Sequence, residues 1–311
     1  MHKIQYLRVV LTNRCNLRCF FCHKEGSQQD ISYDIDYESV KNYIKILVNC
    51  GIRKIKFMGG EPTLYPHLID LIEFVYSIDN TLDISVISNG IMNVKILNAL
   101  VKSHANRINI SLHGYFEKEF KTITGGNQQN LKTILNTINV LSKNNKLGKI
   151  NYVLLKNINL NEFRGVLEYI CKHNYTLDVL NYLGDDTIKV KKFHLEFDDI
   201  YKIIAKYYNV VREENFINNY SITSKRLYLK NGGVINLKVN KLSDYFFLKS
   251  CSTCLKRNLC KEGIAAIRLT TEGKIQPCLF RYDNILDMKK VIDNNELSDS
   301  KAIVYNYFEN L

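Results

Sequence analysis

Apolar residues fall in short runs separated by longer stretches in which they recur every three or four positions. Runs at Tyr6–Thr12, Arg53–Met58, Leu82–Ser88, Arg107–Ser111, Lys149–Leu155 and Leu177–Asn181 have the length and β-branched content of buried strands. Between them, 37–50, 67–77, 93–103, 128–145 and 160–174 carry helical spacing, as in Leu131, Ile134, Leu135, Ile138 and Leu141. Strand–helix alternation predicts parallel strands joined by right-handed crossovers. Six units predict a partial (β/α)6 TIM barrel, class α/β, over residues 1–181, with functional groups at the C-terminal strand ends.

The rhythm changes after Asn181. Residues 182–193 read as a polar connection and 197–211 as a helix. A hairpin then turns at Asn231-Gly232-Gly233 between Arg226–Leu229 and Val234–Val239. A second pairs Ile264–Thr270 with Lys274–Cys278 around Glu272-Gly273. Residues 182–311 form the expected C-terminal extension.

Composition changes this picture little. With 311 residues, 46% hydrophobic and 24% charged, the chain has enough apolar material for a large core. No run reaches the roughly 20 apolar residues of a membrane span. Residues 1–5 lead straight into a strand without a signal peptide, so a cytoplasmic protein is expected. The net charge of +12 comes from lysines scattered along helices rather than from a block, which argues against a nucleic-acid or membrane surface.

The nine cysteines change it more, because seven fall in two groups. Cys15, Cys19 and Cys22, spaced C-x3-C-x2-C, follow the first strand directly. Three thiols on one loop can hold three irons of a 4Fe–4S cluster and leave the fourth open; a zinc knuckle is the competing reading, but it wants a fourth ligand nearby. Cys251, Cys254, Cys260 and Cys278 form a four-thiol set that by itself suits structural zinc as well as iron–sulfur. Cys50 and Cys171 stand alone near helix ends and read as buried packing residues.

The Cys15–Cys22 loop followed by Gly59-Gly60-Glu61-Pro62 after the second strand resembles the radical S-adenosylmethionine superfamily. The resemblance implies that the three cysteines hold a 4Fe–4S cluster whose open iron chelates S-adenosylmethionine, and that reductive cleavage yields a 5′-deoxyadenosyl radical. It implies an electron donor such as flavodoxin or ferredoxin. It implies further that Gly59, Gly60, Glu61, Ser88, Asn89, Ser111 and Lys149 contact the cofactor and that Phe21 packs on its adenine. Each alone has a plainer reading: Gly-Gly as a turn, Ser88, Asn89 and Ser111 as cap or turn residues, Lys149 as a solvated residue opening its strand. His113 reads as a proton carrier or substrate contact, or as a packing residue.

Within the superfamily the chain resembles the molybdenum-cofactor GTP 3′,8-cyclases. Arg8, Lys54-Ile55-Lys56, Ile123-Thr124-Gly125, Lys149-Ile150-Asn151 and Ile267-Arg268-Leu269-Thr270 carry that match. It implies that Arg8, Lys54, Lys56 and Arg268 bind an anionic, nucleotide-like substrate. The chain departs from the cyclase pattern at Lys56 and Ala266, which replace arginines, and in lacking a terminal Gly-Gly. The second cysteine group departs as well, with four members in place of three. Its spacings resemble the auxiliary clusters of SPASM or twitch peptide-modifying enzymes, which implies an auxiliary 4Fe–4S cluster and makes a ribosomally made precursor peptide the alternative substrate.

Overall fold

The computed structural model describes residues 4–26, 33–183, 187–217, 223–238, 249–255, 266–294 and 296–311. Six strands and their helices repeat in order: β1 (Tyr6–Val10), α1 (Tyr37–Asn49), β2 (Lys54–Met58), α2 (Leu68–Ile78), β3 (Asp83–Ser88), α3 (Val94–Lys102), β4 (Arg107–Ser111), α4 (Glu117–Thr124), α5 (Gln128–Lys143), β5 (Leu147–Leu154), α6 (Phe163–His173) and β6 (Thr176–Asn181). The predicted strands and long helices lie within a few residues of these bounds. Caps explain several helix starts. Asp36 accepts from Ser39 N–H, Asn93 accepts from Ile96 N–H, and Asn127 and Asn130 form a reciprocal capping box.

Helix α7 (Thr187–Phe193) occupies part of the stretch predicted as a polar connection, and its apolar positions Val190 and Phe193 pack beside Tyr182. Helix α8 (Phe197–Tyr207) stops four residues before its predicted end. The chain then turns into strand β7 (Val210–Ile217), where Val210-Val211 suits a strand better than another helical turn. The hairpins follow as β8 (Thr223–Leu229) with β9 (Val234–Lys238), and β10 (Ile267–Leu269) with β11 (Lys274–Gln276). Residues Ile264 and Ala265 of the second predicted hairpin lie outside the described residues. Strand β12 (Leu286–Asp287) and helices α9 (Met288–Asp293) and α10 (Leu297–Asn310) complete the chain.

One sheet runs β12-β11-β10-β1-β2-β3-β4-β5-β6-β9-β8-β7. From β10 to β9 all neighbours are parallel, so residues beyond 181 add a parallel strand to each side of the six-stranded repeat. The order is that of an open, partial barrel. Side chains alternate along the strands. Leu7, Val9, Ile55, Phe57, Ile84, Val86, Ile108 and Ile110 are fully buried in the main apolar cluster with the helices. Each such side chain contributes about 1.5–3 kcal/mol of burial. The intervening positions include Arg8, Lys56 and Lys149, which line a cavity. Cys50 and Cys171 are buried, as expected. Among the described residues no helix is long and apolar enough to cross a membrane.

Candidate active site

The C-terminal ends of β1 to β6 converge on a cavity of about 720 Å³. Cys15, Cys19 and Cys22 line it together with Phe21, Gly59, Gly60, Glu61, Ser88, Asn89, Ser111, His113, Lys149, Arg8 and Lys56. Residues from six strands, far apart in sequence, are thus brought to one place.

The cysteine loop is fastened by backbone on two sides. Gly60 N–H donates to Thr12 O at 2.6 Å and Glu61 N–H to Arg14 O at 2.8 Å. A Cβ on Gly59 would meet Thr12 O at 2.4 Å, and one on Gly60 would meet Arg14 O at 2.2 Å. The glycines therefore make room for the cysteine loop itself. On the other side, Arg18 N–H donates to Thr124 O and Phe20 N–H to Ile123 O, which is why the Ile123-Thr124-Gly125 segment accompanies the cysteines.

Glu61 is tied to the neighbouring strand ends. Its side chain is buried. One oxygen accepts from Thr63 N–H, Thr63 hydroxyl and Ser88 hydroxyl, and the other from Asn89 N–H at 2.7 Å. Burial raises its pKa and these bonds oppose the rise. The carboxylate is a latch between the second and third strand ends, and Ser88 and Asn89 are held by it. The Asn89 amide reaches on to Asn16 Oδ1 at 2.6 Å and Cys15 Sγ at 3.8 Å.

The three thiols are free, with Cys15 and Cys22 exposed and Cys19 half-buried. Leu17 N–H points at Cys15 Sγ and Lys24 N–H at Cys22 Sγ, both at 3.4 Å. Burial and the neighbouring thiols push Cys19 up to about 12, and burial pushes Cys15 up. Thiolates that disfavour one another's charge in this way need a cationic centre to persist. Among the described residues no three His, Cys, Asp or Glu side chains converge as ligands of one metal ion. A cubane cluster binds thiolates at separate corners, so three spaced thiols with N–H groups aimed at sulfur fit it better than a single ion.

His113 ends the β4 edge of the cavity. Its Nδ1 accepts from Val153 N–H at 3.3 Å, and its ring meets Phe21 edge-on at 4.8 Å. Burial lowers its pKa to about 4, so the ring is neutral.

The predicted basic residues divide. Arg8 and Arg268 are register partners on β1 and β10, and both face Glu25, at 3.8 and 3.0 Å. Arg268 is 2% exposed and is not among the residues that line the cavity. Lys56 lies in the cavity beside Tyr6, with its pKa lowered to about 8, first by burial. Lys149 lies inside its strand, two residues past the β5 start, and pairs with Asp178, which also accepts from Asn236 at 2.7 Å. That pairing runs across adjacent strands inside the cavity that the cysteines line.

Lys54 lies at the other end of the barrel, 3.5 Å from Asp83, which also holds Arg107. There it lines a second cavity of about 440 Å³ with Arg107, Arg226 and Asn109. Lys56 and Lys149 line both cavities. Glu25, Asp83, Asp178, Arg107 and Asn236 were not singled out from sequence. Asp83, Arg107, Asp178 and Asn236 are polar residues within strands and Glu25 sits in a short turn, and the partners of all five are remote in the chain.

Of the second cysteine group, Cys251 is buried and Cys254 and Cys278 are half-buried, while Cys260 lies outside the described residues. Cys254 N–H donates to Cys251 O at 3.2 Å and Phe280 N–H points at Cys278 Sγ at 3.4 Å.

Comparisons with known proteins agree with this layout. Residues 9–170 match the family model described as "Radical SAM superfamily". The chain is 30% identical over 296 residues to the "Probable GTP 3',8-cyclase" of Methanococcus aeolicus, covering 94% of this chain and 91% of that protein. It is 29% identical over 303 residues to the one of Thermoplasma volcanium, covering 94% and 85%. Among solved structures, Streptococcus suis SuiB bound to S-adenosylmethionine superposes with a TM-score of 0.61 at 14% identity, over 88% of this chain and 60% of that one. Native anSMEcpe with bound AdoMet gives 0.55 at 14%, over 88% and 74%. At such identities the structural likeness is one of fold.

Proposed function

The chain belongs to the radical SAM superfamily and is an enzyme of radical chemistry, and from that premise we propose that it acts on a small anionic, nucleotide-like substrate in the manner of a GTP 3′,8-cyclase. The observation that carries this reading is the position of Arg8, Lys56 and Lys149 on the inner wall of the cavity that Cys15, Cys19 and Cys22 also line. The relatives named as GTP 3′,8-cyclases, matched over nearly the whole chain, support it.

In this reading Cys15, Cys19 and Cys22 hold a 4Fe–4S cluster and S-adenosylmethionine binds among Phe21, Ser88, Asn89 and Ser111. When bound, the two supply reductive cleavage of the sulfonium and abstraction of a hydrogen atom from substrate. The protein's own share is placement. Glu61 fixes the second and third strand ends, the Gly59-Gly60 backbone holds the cysteine loop, and the apolar flank of Phe21, Val153 and Leu180 limits water. Arg8 and Lys56 attract phosphate oxygens, with Lys54 and Arg268 extending the positive field beyond the cavity lining. Cys251, Cys254, Cys260 and Cys278 hold an auxiliary 4Fe–4S cluster, with no iron left open for substrate. A reduced flavodoxin or ferredoxin supplies the electron.

One observation favours a second reading, maturation of a ribosomally made peptide. Glu25 and Asp178 give the cavity carboxylates among its cations, which suits a substrate of mixed charge. Equilibrium binding to the anaerobically reconstituted enzyme separates the two. Saturable GTP binding that weakens about tenfold in Arg8→Ala and Lys56→Ala supports the nucleotide reading. GTP binding that is absent, or indifferent to both substitutions, contradicts it.

A further inference from the structure

The main cavity has two unlike ends. One is the cationic wall of Arg8, Lys56 and Lys149. The other is walled by Phe21, Val153, Leu180 and Tyr182, part of a small apolar cluster separate from the main core. Phe20 and Phe193 back it, with ring centroids 5.5 Å apart, and Phe193 stands 5.5 Å from Tyr182. His113 sets an imidazole at this end, against the Phe21 ring edge.

The imidazole is not free to choose its tautomer. Val153 N–H donates to Nδ1, so the single ring proton of the neutral form sits on Nε2. The ring is held on one side by a backbone amide of β5 and on another by Phe21. Nδ1 is therefore committed to the protein, and the opposite edge of the ring carries an N–H without a charge.

We propose that His113 is a specificity-determining residue. Its Nε2–H acts as the neutral donor that reads a hydrogen-bond acceptor on a flat heteroaromatic ring lodged between Phe21 and Tyr182. The chemistry of the compartment selects this class. Aromatic and aliphatic walls favour a ring face. An acceptor-free ring leaves the His113 N–H unpaired and is disfavoured. The base of a nucleoside has the required form, whether it belongs to S-adenosylmethionine or to the substrate. Only the substrate alternative rests on the nucleotide reading above.

Two substitutions separate the donor from the scaffold. In His113→Asn the amide oxygen takes the place of Nδ1 and keeps the Val153 bond, but nothing replaces the Nε2 donor. In His113→Gln the amide nitrogen reaches the place of Nε2 and the Val153 bond is given up. Binding of S-adenosylhomocysteine and of GTP is measured on cluster-loaded wild type and both variants. At least one probe is expected to bind His113→Asn about tenfold more weakly, with most of the loss restored in His113→Gln. Loss with S-adenosylhomocysteine places the cofactor base in the compartment, and loss with GTP places the substrate base there. If wild type binds S-adenosylhomocysteine but not GTP, the nucleotide reading fails while the first arm still decides this one. Unchanged binding of both probes in His113→Asn, or equal losses in the two variants, overturns the proposal. So does a long-range ¹H–¹⁵N spectrum of the wild type that shows the His113 proton on Nδ1, a readout that needs no variant to fold.

Discussion

Lys149 and Asp178 face each other across β5 and β6 as an ion pair, with Asn236 from β9 donating to the second carboxylate oxygen at 2.7 Å. The carboxylate lies inside the cavity where the cation had been expected to meet a ligand, with its side chain 15% exposed. At this depth a unit charge a few ångströms from a phosphate weighs several times more than it does in water. Asp178→Asn is therefore expected to tighten GTP binding about threefold to tenfold, and Lys149→Ala to weaken it. Titration at two ionic strengths checks both, and the difference between the variants is expected to shrink as salt rises. Asp178→Asn leaving GTP affinity unchanged would mean that the anion binds elsewhere.

The packing of Gly60 on the cysteine loop leads to a second expectation. A methyl group at Gly60 meets Arg14 O at 2.2 Å and Asn13 O at 2.8 Å, backbone atoms that have no rotamer to yield. Gly60→Ala is expected to cost roughly 1–3 kcal/mol and to displace the loop that carries Cys15. Gly125→Ala, at φ +69 with its nearest neighbour 3.7 Å away, is expected to cost only about 1 kcal/mol. Thermal melts give the stability difference. Iron bound after reconstitution gives the loop's share, which is expected to fall in Gly60→Ala and to hold in Gly125→Ala.

Glu162 provides a pH dependence. Its buried carboxyl accepts from Tyr152 hydroxyl at 3.1 Å and from Phe116 N–H at 3.1 Å, tying the loop after His113 to the far end of β5. Burial, against the pull of these two bonds, raises its pKa to about 7. The folded protein thus holds the proton more tightly than the unfolded chain. This contribution is complete below the unfolded value near 4.5 and disappears as pH rises through about 7. It amounts to at most about 3 kcal/mol. Urea unfolding at pH 5.5 and pH 8.5 is expected to show Glu162→Gln losing less stability over that interval than wild type. Parallel losses would place the pH dependence in another group.

Much of this architecture was legible in the chain. Runs such as Arg107–Ser111 need no tertiary context, because alternation and β-branching suffice. The cysteine loop and Gly59-Gly60-Glu61 were recognisable as a unit, although the reason for the glycines was not. Their constraint comes from Thr12 and Arg14, more than 40 residues earlier in the chain. Helix α4 passed unnoticed because it has eight residues and turns only Phe120, Ile123 and Thr124 inward. The helix predicted over 197–211 took in Val210 and Val211 of strand β7, and the rest of that strand was not assigned, since its charged residues Arg212, Glu213 and Glu214 break the apolar pattern. The carboxylates were the least legible part. Glu25 meets Arg268 across 243 residues and Asp178 meets Lys149 across 29, and no local pattern announces either meeting.

The account depends most on Cys15, Cys19 and Cys22 as the seat of a cluster that drives cleavage of S-adenosylmethionine. Protein reconstituted anaerobically with iron and sulfide, reduced with dithionite and given S-adenosylmethionine, tests this directly by chromatography of 5′-deoxyadenosine. Wild type is expected to form it, and Cys19→Ala, with its second cysteine group intact, is expected to form none above the protein-free background. Equal amounts from the two proteins, or none from a wild type whose iron has been verified, would contradict the account.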